Sequence, residues 1–231
     1  DRIIGVKIAI SDHRSSNMTK ESLIKLASDA RVAGMLSGKP GIVHLHTGTG
    51  KAQLDMLFDM VAETEIPIRT FRPTHLAAKY DAAIRFAKLG GYIDFTCDPD
   101  DMVNRSALLV RALREAPAGS VTISTDSNGS LPVWNERNEM IGIGAGHISA
   151  LHDTICAMVK LQHCPLEEAL LPVTENVAKA LELYPAKGVL AAGSDADIVL
   201  LDSDMAIDTV YAMGRCMLKN KEMQVHANFE F

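Results

Sequence analysis

Several absences narrow the reading of this chain before any motif is considered. It has no apolar run near the 18 residues that a membrane span needs, and its longest runs, such as Ile198 to Leu201, are strand-sized. No basic, apolar, small-residue order stands at its start, so no signal peptide is expected. Cysteine is sparse: Cys97, Cys156, Cys164 and Cys216 form no CxxC pair, which argues against a disulfide framework and for free thiols in a reducing cytoplasm. There is no basic stripe either. The 23 Lys and Arg residues are scattered among 29 Asp and Glu, for a net charge of −6, and nucleic-acid binding is not expected. A phosphate loop is missing as well. Gly48-Thr49-Gly50-Lys51 lacks the required spacing, and Ala52 stands where Ser or Thr would hold magnesium.

What is present is a regular alternation. With 47% hydrophobic and 23% charged residues, 231 positions suffice for one large domain or two unequal ones. Strand signals at 3–9, 42–46, 68–75, 92–96 and 121–125 alternate with helical periodicity. Thr19 is placed to cap the first helix, which runs to about Val32, and further helices are expected around 54–61, 82–89 and 103–115. Ile148, Leu151, Ile155, Met158 and Val159 mark a long amphipathic helix. Another covers 166–183, with Pro172 interrupting it and Thr174 able to restart it. Repeating strand–helix units imply parallel strands with helical crossovers, in an open sheet or a closed barrel. The end of the chain differs. Residues 188–202 read as two strands around a turn, and 207–212 and 216–218 as further short strands of a small all-β unit.

Four polar residues fall at or just past predicted strand ends: Lys7, His46, His75 and Asp126. In a barrel the C-terminal ends of the strands converge on one mouth, where residues distant in sequence can meet. Two imidazoles and a carboxylate suit a metal ion. An ammonium has no lone pair to offer, so Lys7 could join them only in another form. A lysine buried at the mouth would lose its charge more readily, and the neutral amine could take up carbon dioxide to become a carbamate able to bridge two cations. His44 and His46 share one face of their strand by period-two alternation, a pattern that could itself bind metal. His13, His147, His152, His163 and His226 lack such context and read as surface or packing residues.

Four stretches carry a resemblance. They are Gly5-Val6-Lys7-Ile8-Ala9-Ile10-Ser11-Asp12-His13-Arg14-Ser15, then Pro73-Thr74-His75, then 121–130 with Ser124-Thr125-Asp126-Ser127-Asn128-Gly129-Ser130, and the tail Gly193-Ser194-Asp195-Ala196-Asp197-Ile198-Val199. The chain resembles the amidohydrolase superfamily and, within it, the bacterial isoaspartyl dipeptidases. That resemblance implies an α/β chain: strands four to eight of a partial (β/α)8 TIM-type barrel over residues 1–185, and part of a small β-sandwich over 186–231. It implies a cytoplasmic metallo-dipeptidase with two zinc ions. Lys7 would be the carbamylated bridging lysine, and His46 and His75 ligands of the more exposed zinc. Asp126 would ligate the buried zinc, take the proton from the bridging hydroxide and give it to the leaving amine. Arg14 would bind the substrate carboxylate and Ser130 help hold the other end of the dipeptide.

Two departures accompany the resemblance. The family's His-x-His pair precedes the lysine strand, and nothing before Lys7 can supply it; His44-x-His46 follows Lys7 and aligns with strand five. The family arginine after the strand-six histidine is absent, and Leu76-Ala77-Ala78-Lys79 stands there. The expected partners are therefore a small dipeptide, further copies of the chain and a preceding N-terminal segment. The alternatives are another amidohydrolase, of cyclic-amide or amidase type, or a non-catalytic fragment or subunit of the same fold.

Overall fold

A computed structural model describes residues 3–12, 15, 18–52, 54–137 and 139–226. The chain begins with β1 (Gly5–Ile10) and α1 (Lys20–Ser37), then β2 (Ile42–Thr47) and α2 (Asp55–Glu63). It continues through β3 (Phe71–Thr74), α3 (Tyr80–Lys88), β4 (Ile93–Thr96), α4 (Met102–Glu115) and β5 (Val121–Ser124). Local chemistry sets these boundaries. The Thr19 side chain accepts a hydrogen bond from the Ser22 backbone N–H at the start of α1. Gly38 ends α1 in the left-handed conformation (φ 65°), where a side chain would be strained.

β1, β2 and β3 form a parallel sheet in that order, and β4 pairs with β5, also in parallel. β3 and β4 lie side by side and are joined by a hydrogen bond from the Thr74 hydroxyl to the Asp94 carboxylate at 2.6 Å. Helices separate successive strands, so these strands make up part of a (β/α)8 TIM-type barrel. Along β2, β4 and β5 apolar and polar side chains alternate. Val43, Leu45, Ile93, Phe95, Val121 and Ile123 join one buried cluster with Leu23 and Ala27 of α1, Leu57 and Met60 of α2, Phe86 of α3 and Leu109 of α4. The intervening polar set (His44, His46, Asp94, Thr96, Thr122, Ser124) is left for the opposite face.

After β5 the structure departs from expectation. An antiparallel hairpin, β6 (Ser130–Trp134) and β7 (Met140–Ala145), precedes the helix α5 (Ala150–Lys160). Its strand character is hard to read in sequence because Pro132 interrupts one arm and Gly142 and Gly144 dilute the other. The interrupted helix resolves into α6 (Leu166–Leu170) and α7 (Glu175–Ala180), with Pro172 between them. A four-stranded antiparallel sheet closes the chain, with β8 (Ile198–Leu201), β9 (Ile207–Ala212), β10 (Arg215–Lys219) and β11 (Glu222–Met223) in the order β11-β10-β9-β8. The strand expected just after Gly188 is not formed. That segment turns, with Gly193 at φ 93°, and β8 is the sheet edge among the described residues. No described helix is long and apolar enough to cross a membrane.

Candidate metal centre

The parallel register decides which strand-end residues meet. Lys7 pairs with His44 across β1 and β2, and His46 with Thr74 across β2 and β3, so His46 sits one layer nearer the strand ends than His44. His75 follows β3 directly and Asp126 follows β5 by two residues. The rings of His46 and His75 stand edge to face with centroids 4.4 Å apart. His75 Nε2 lies 3.8 Å from Asp126 Oδ2, and Asp126 Oδ1 lies 3.8 Å from Lys7 Nζ. All four residues singled out from the sequence therefore gather at one mouth.

Two of them are held in unusual backbone. His75 (φ 63°) and Asp126 (φ 49°) are left-handed without being glycine, a conformation costing on the order of 1 kcal/mol or more each. Around Asp126 the chain folds back on itself, the Gly129 N–H donating to the Asp126 carbonyl at 3.0 Å. From these positions both side chains reach groups on other strands: His75 meets Thr96 and His46, and Asp126 lies 3.8 Å from His75 and from Lys7.

Each imidazole has one nitrogen engaged by the protein. His46 Nε2–H donates to Asp12 Oδ2 at 2.7 Å, and Asp12 is buried. Asp12 reaches that position because the neighbouring loop carries Gly48, where a Cβ would fall 2.3 Å from the Asp12 Cβ. His75 Nδ1 lies 2.7 Å from the Thr96 hydroxyl. Its Nε2 is buried and has no hydrogen-bond partner among the described residues. Burial, and next the neighbouring His46, pushes the His75 pKa down to about 4, so the ring is neutral near pH 7. A neutral imidazole with an orphaned nitrogen aimed at a carboxylate has the chemistry of a metal ligand. Donors on a tetrahedral ion with bonds of about 2.1 Å stand about 3.4 Å apart, close to the His75–Asp126 separation. Among the described residues, no three His, Cys, Asp or Glu side chains by themselves form a group able to hold an ion. The mouth as described supplies two imidazoles, one carboxylate and the amine of Lys7.

Lys7 differs from expectation in its burial. Its side chain is 57% exposed, because β1 is the edge strand of its sheet and no described strand covers its other side. Lys79 has the opposite fate: it is buried, donates to the Thr47 carbonyl at 3.3 Å, and burial lowers its pKa. It is thus bonded into the protein. Arg14 lies outside the described residues. Ser130 opens β6, paired with Ala145, and its side chain also lies outside what is described.

Three positions had no role in the sequence reading. Asp12 supports His46, Thr96 touches His75, and buried Asp94 accepts hydrogen bonds from Thr74, Thr122 and Ser124. Burial raises the Asp94 pKa while the hydroxyl donors lower it. One signal was legible for Asp94: a carboxylate at an inward position of the alternating strand Ile93-Asp94-Phe95-Thr96. His44 lies one layer deeper than His46, and burial lowers its pKa.

A partial barrel with this mouth belongs to a known class. The family model of the amidohydrolase family matches residues 5–217, and the chain belongs to that family. Within it, the chain is 38% identical to the beta-aspartyl dipeptidase of Fervidobacterium islandicum AW-1 in complex with beta-Asp-Leu dipeptide, with a TM-score of 0.91. That match covers 100% of this chain and 62% of the other, so the chain spans less than two thirds of that relative. A second structure of the dipeptidase from the same organism matches at 37% identity and TM-score 0.87, over 100% of this chain and 60% of that one. A dihydropyrimidinase from Brevibacillus agri, at 18% identity and TM-score 0.63 over 96% of this chain and 65% of its own, shares the fold.

Proposed function

We propose that the protein hydrolyses β-aspartyl dipeptides at a zinc centre held by Lys7, His46, His75 and Asp126. The observation that carries this reading is the buried, unpartnered Nε2 of His75 facing the Asp126 carboxylate at 3.8 Å, in a chain 38% identical to a β-aspartyl dipeptidase. Bound metal would polarise the scissile carbonyl and acidify the attacking water. Asp126 would accept the proton of that water and donate it to the departing amine, a task for which its strained turn aims it. Asp12 would hold the His46 ring and leave its Nδ1 turned to the mouth. Lys7, in its neutral form, would add carbon dioxide and release a proton to give a carbamate, a singly charged anion whose two oxygens could hold metal. Arg14 and Ser130 would take the two ends of the dipeptide.

In this reading residues 1–185 are the barrel part and 186–231 a separate small β unit. The protein works in the cytoplasm, in keeping with four free cysteines, and as a homo-oligomer, which native mass measurement would check. The test of function is zinc content and β-Asp-Leu turnover of the intact protein beside Asp126→Asn. Zinc with turnover that the variant loses supports the reading, and full turnover by Asp126→Asn sinks it. One observation favours a second substrate class. With Lys79 turned inward and alanine at 77 and 78, this loop offers no exposed cation to a substrate carboxylate. A substrate panel separates the two, since preference for a ring amide over β-Asp-Leu would replace the dipeptide assignment.

A further inference from the structure

A row of hydroxyls connects the buried carboxylate of Asp94 to the ring of His75. Asp94 Oδ2 accepts from Thr74 Oγ1 at 2.6 Å and from Ser124 Oγ at 2.6 Å, and Oδ1 accepts from Thr122 Oγ1 at 2.8 Å. All three hydroxyls donate to Asp94, which sets the direction of each bond that reaches it. Thr74 has one hydroxyl proton, and Asp94 takes it. What Thr74 turns toward Thr96, 3.4 Å away, is therefore a lone pair. With its own proton turned to that lone pair, Thr96 presents a lone pair to His75 Nδ1, 2.7 Å away. In that arrangement His75 would carry its proton on Nδ1, and the unpartnered Nε2 would be a lone pair.

We infer that Asp94 is a positioning residue that sets the tautomer of His75 through Thr74 and Thr96, so that Nε2 is presented to the mouth as a donor atom. The inference rests on the hydrolase reading for its purpose, because a fixed Nε2 lone pair serves a ligand. The bland account of the same cluster is a staple between β3 and β4, whose backbone ladder lapses where the hydroxyls meet. The two accounts part on the ring proton. A staple holds the strands together and is indifferent to which nitrogen carries hydrogen.

The test compares the intact protein with Thr74→Val, a change of similar shape that breaks the link to Asp94 while leaving the Thr96–His75 contact in place. Nitrogen NMR of the metal-free proteins, labelled at histidine, reads the His75 tautomer, and titration with zinc reads affinity. The wild type should hold the proton on Nδ1. In Thr74→Val the Thr96 hydroxyl has lost its acceptor and donates to Nδ1, so the population moves toward Nε2–H and zinc affinity falls about 10- to 100-fold. An Nε2–H tautomer in the wild type overturns the inference, as does an unchanged tautomer and affinity in the variant. If Thr74→Val does not fold, Thr96→Val and Thr96→Ser decide: serine keeps the Nδ1–H form and valine loses it, and equal behaviour of the two overturns the inference. A wild type that binds no zinc defeats the hydrolase reading, yet the tautomer of the metal-free protein still decides this one.

Discussion

Among the residues other than glycine that take up left-handed backbone, those of the small C-terminal sheet and those of the barrel mouth do so for different reasons. In the small C-terminal sheet, Asn220 and Lys221 (φ 50° and 66°) form the two-residue connection between β10 and β11, and Met213 (φ 51°) with Gly214 (φ 77°) forms that between β9 and β10. Two-residue hairpins want positive φ at both central positions, because that turn matches the twist of the strands. Side chains brace this sheet too: Asp202 Oδ1 accepts from the backbone N–H groups of Asp204 and Ala206. At the barrel mouth His75 and Asp126 have φ 63° and 49° but close no hairpin. There the conformation directs a side chain toward others arriving from separate strands. The same backbone state thus serves topology in one region and aim in the other, and only the neighbours distinguish them.

This comparison can be broken by substitution. The largest effect is expected at Asp126. Asp126→Asn in the intact protein should lower kcat by roughly 100- to 10,000-fold while leaving the melting temperature near that of the wild type. Next comes support for a ligand. Asp12→Ala frees the His46 ring and should weaken zinc binding about 10- to 100-fold, read by competition with a chelator.

A third prediction concerns pH. Burial pushes the His75 pKa down to about 4 from the ordinary 6.5 of an imidazole. As pH falls below about 6.5 the unfolded chain takes up this proton first. The contribution is complete above that value, is lost progressively toward pH 4, and is level below it. Metal-free protein should therefore lose up to about 3 kcal/mol from this group over that window, measured by urea denaturation. Replacing His75 with glutamine should flatten that slope.

The smallest effect is expected in the small sheet. Met213→Asn places a residue that tolerates left-handed backbone at an exposed turn, and should stabilise by up to about 1 kcal/mol with kcat unchanged. If Met213→Asn altered turnover, or Asp126→Asn did not, the contrast between the two regions would be wrong.

Much of the barrel was legible before the structure. Thr19 caps α1 as its hydroxyl and position suggested, and the five parallel strands fall where apolar runs met turn signals. The helix expected to end near Val32 instead runs through Gly34 and continues to Ser37, where Gly38 takes up left-handed backbone and ends it. The β6–β7 hairpin was missed, since Pro132 and the alternating glycines of β7 erase the period-two signal on which a strand is recognised. The strand expected after Gly188 has no described neighbour to pair with, and an apolar stretch without a partner does not become a strand. Lys7 was expected to be buried and is more than half exposed, an outcome that depends on which strands flank β1 and not on residues near Lys7.

The order Lys7, His46, His75, Asp126 along alternating strands and helices was set by the sequence alone, because period-two and period-3.6 burial of apolar residues is a local property. The same holds for the absence of a long apolar helix among the described residues. The tertiary structure decided which nitrogen of each imidazole is tied and which is left. Asp12 and His46 lie 34 residues apart, and Thr96 and His75 lie 21 apart. Asp94, Thr74 and Thr122 come from three different strands. Hydrogen bonds of this kind form only when separate strands are brought into register, and that register belongs to the packed sheet and not to any one segment of the chain.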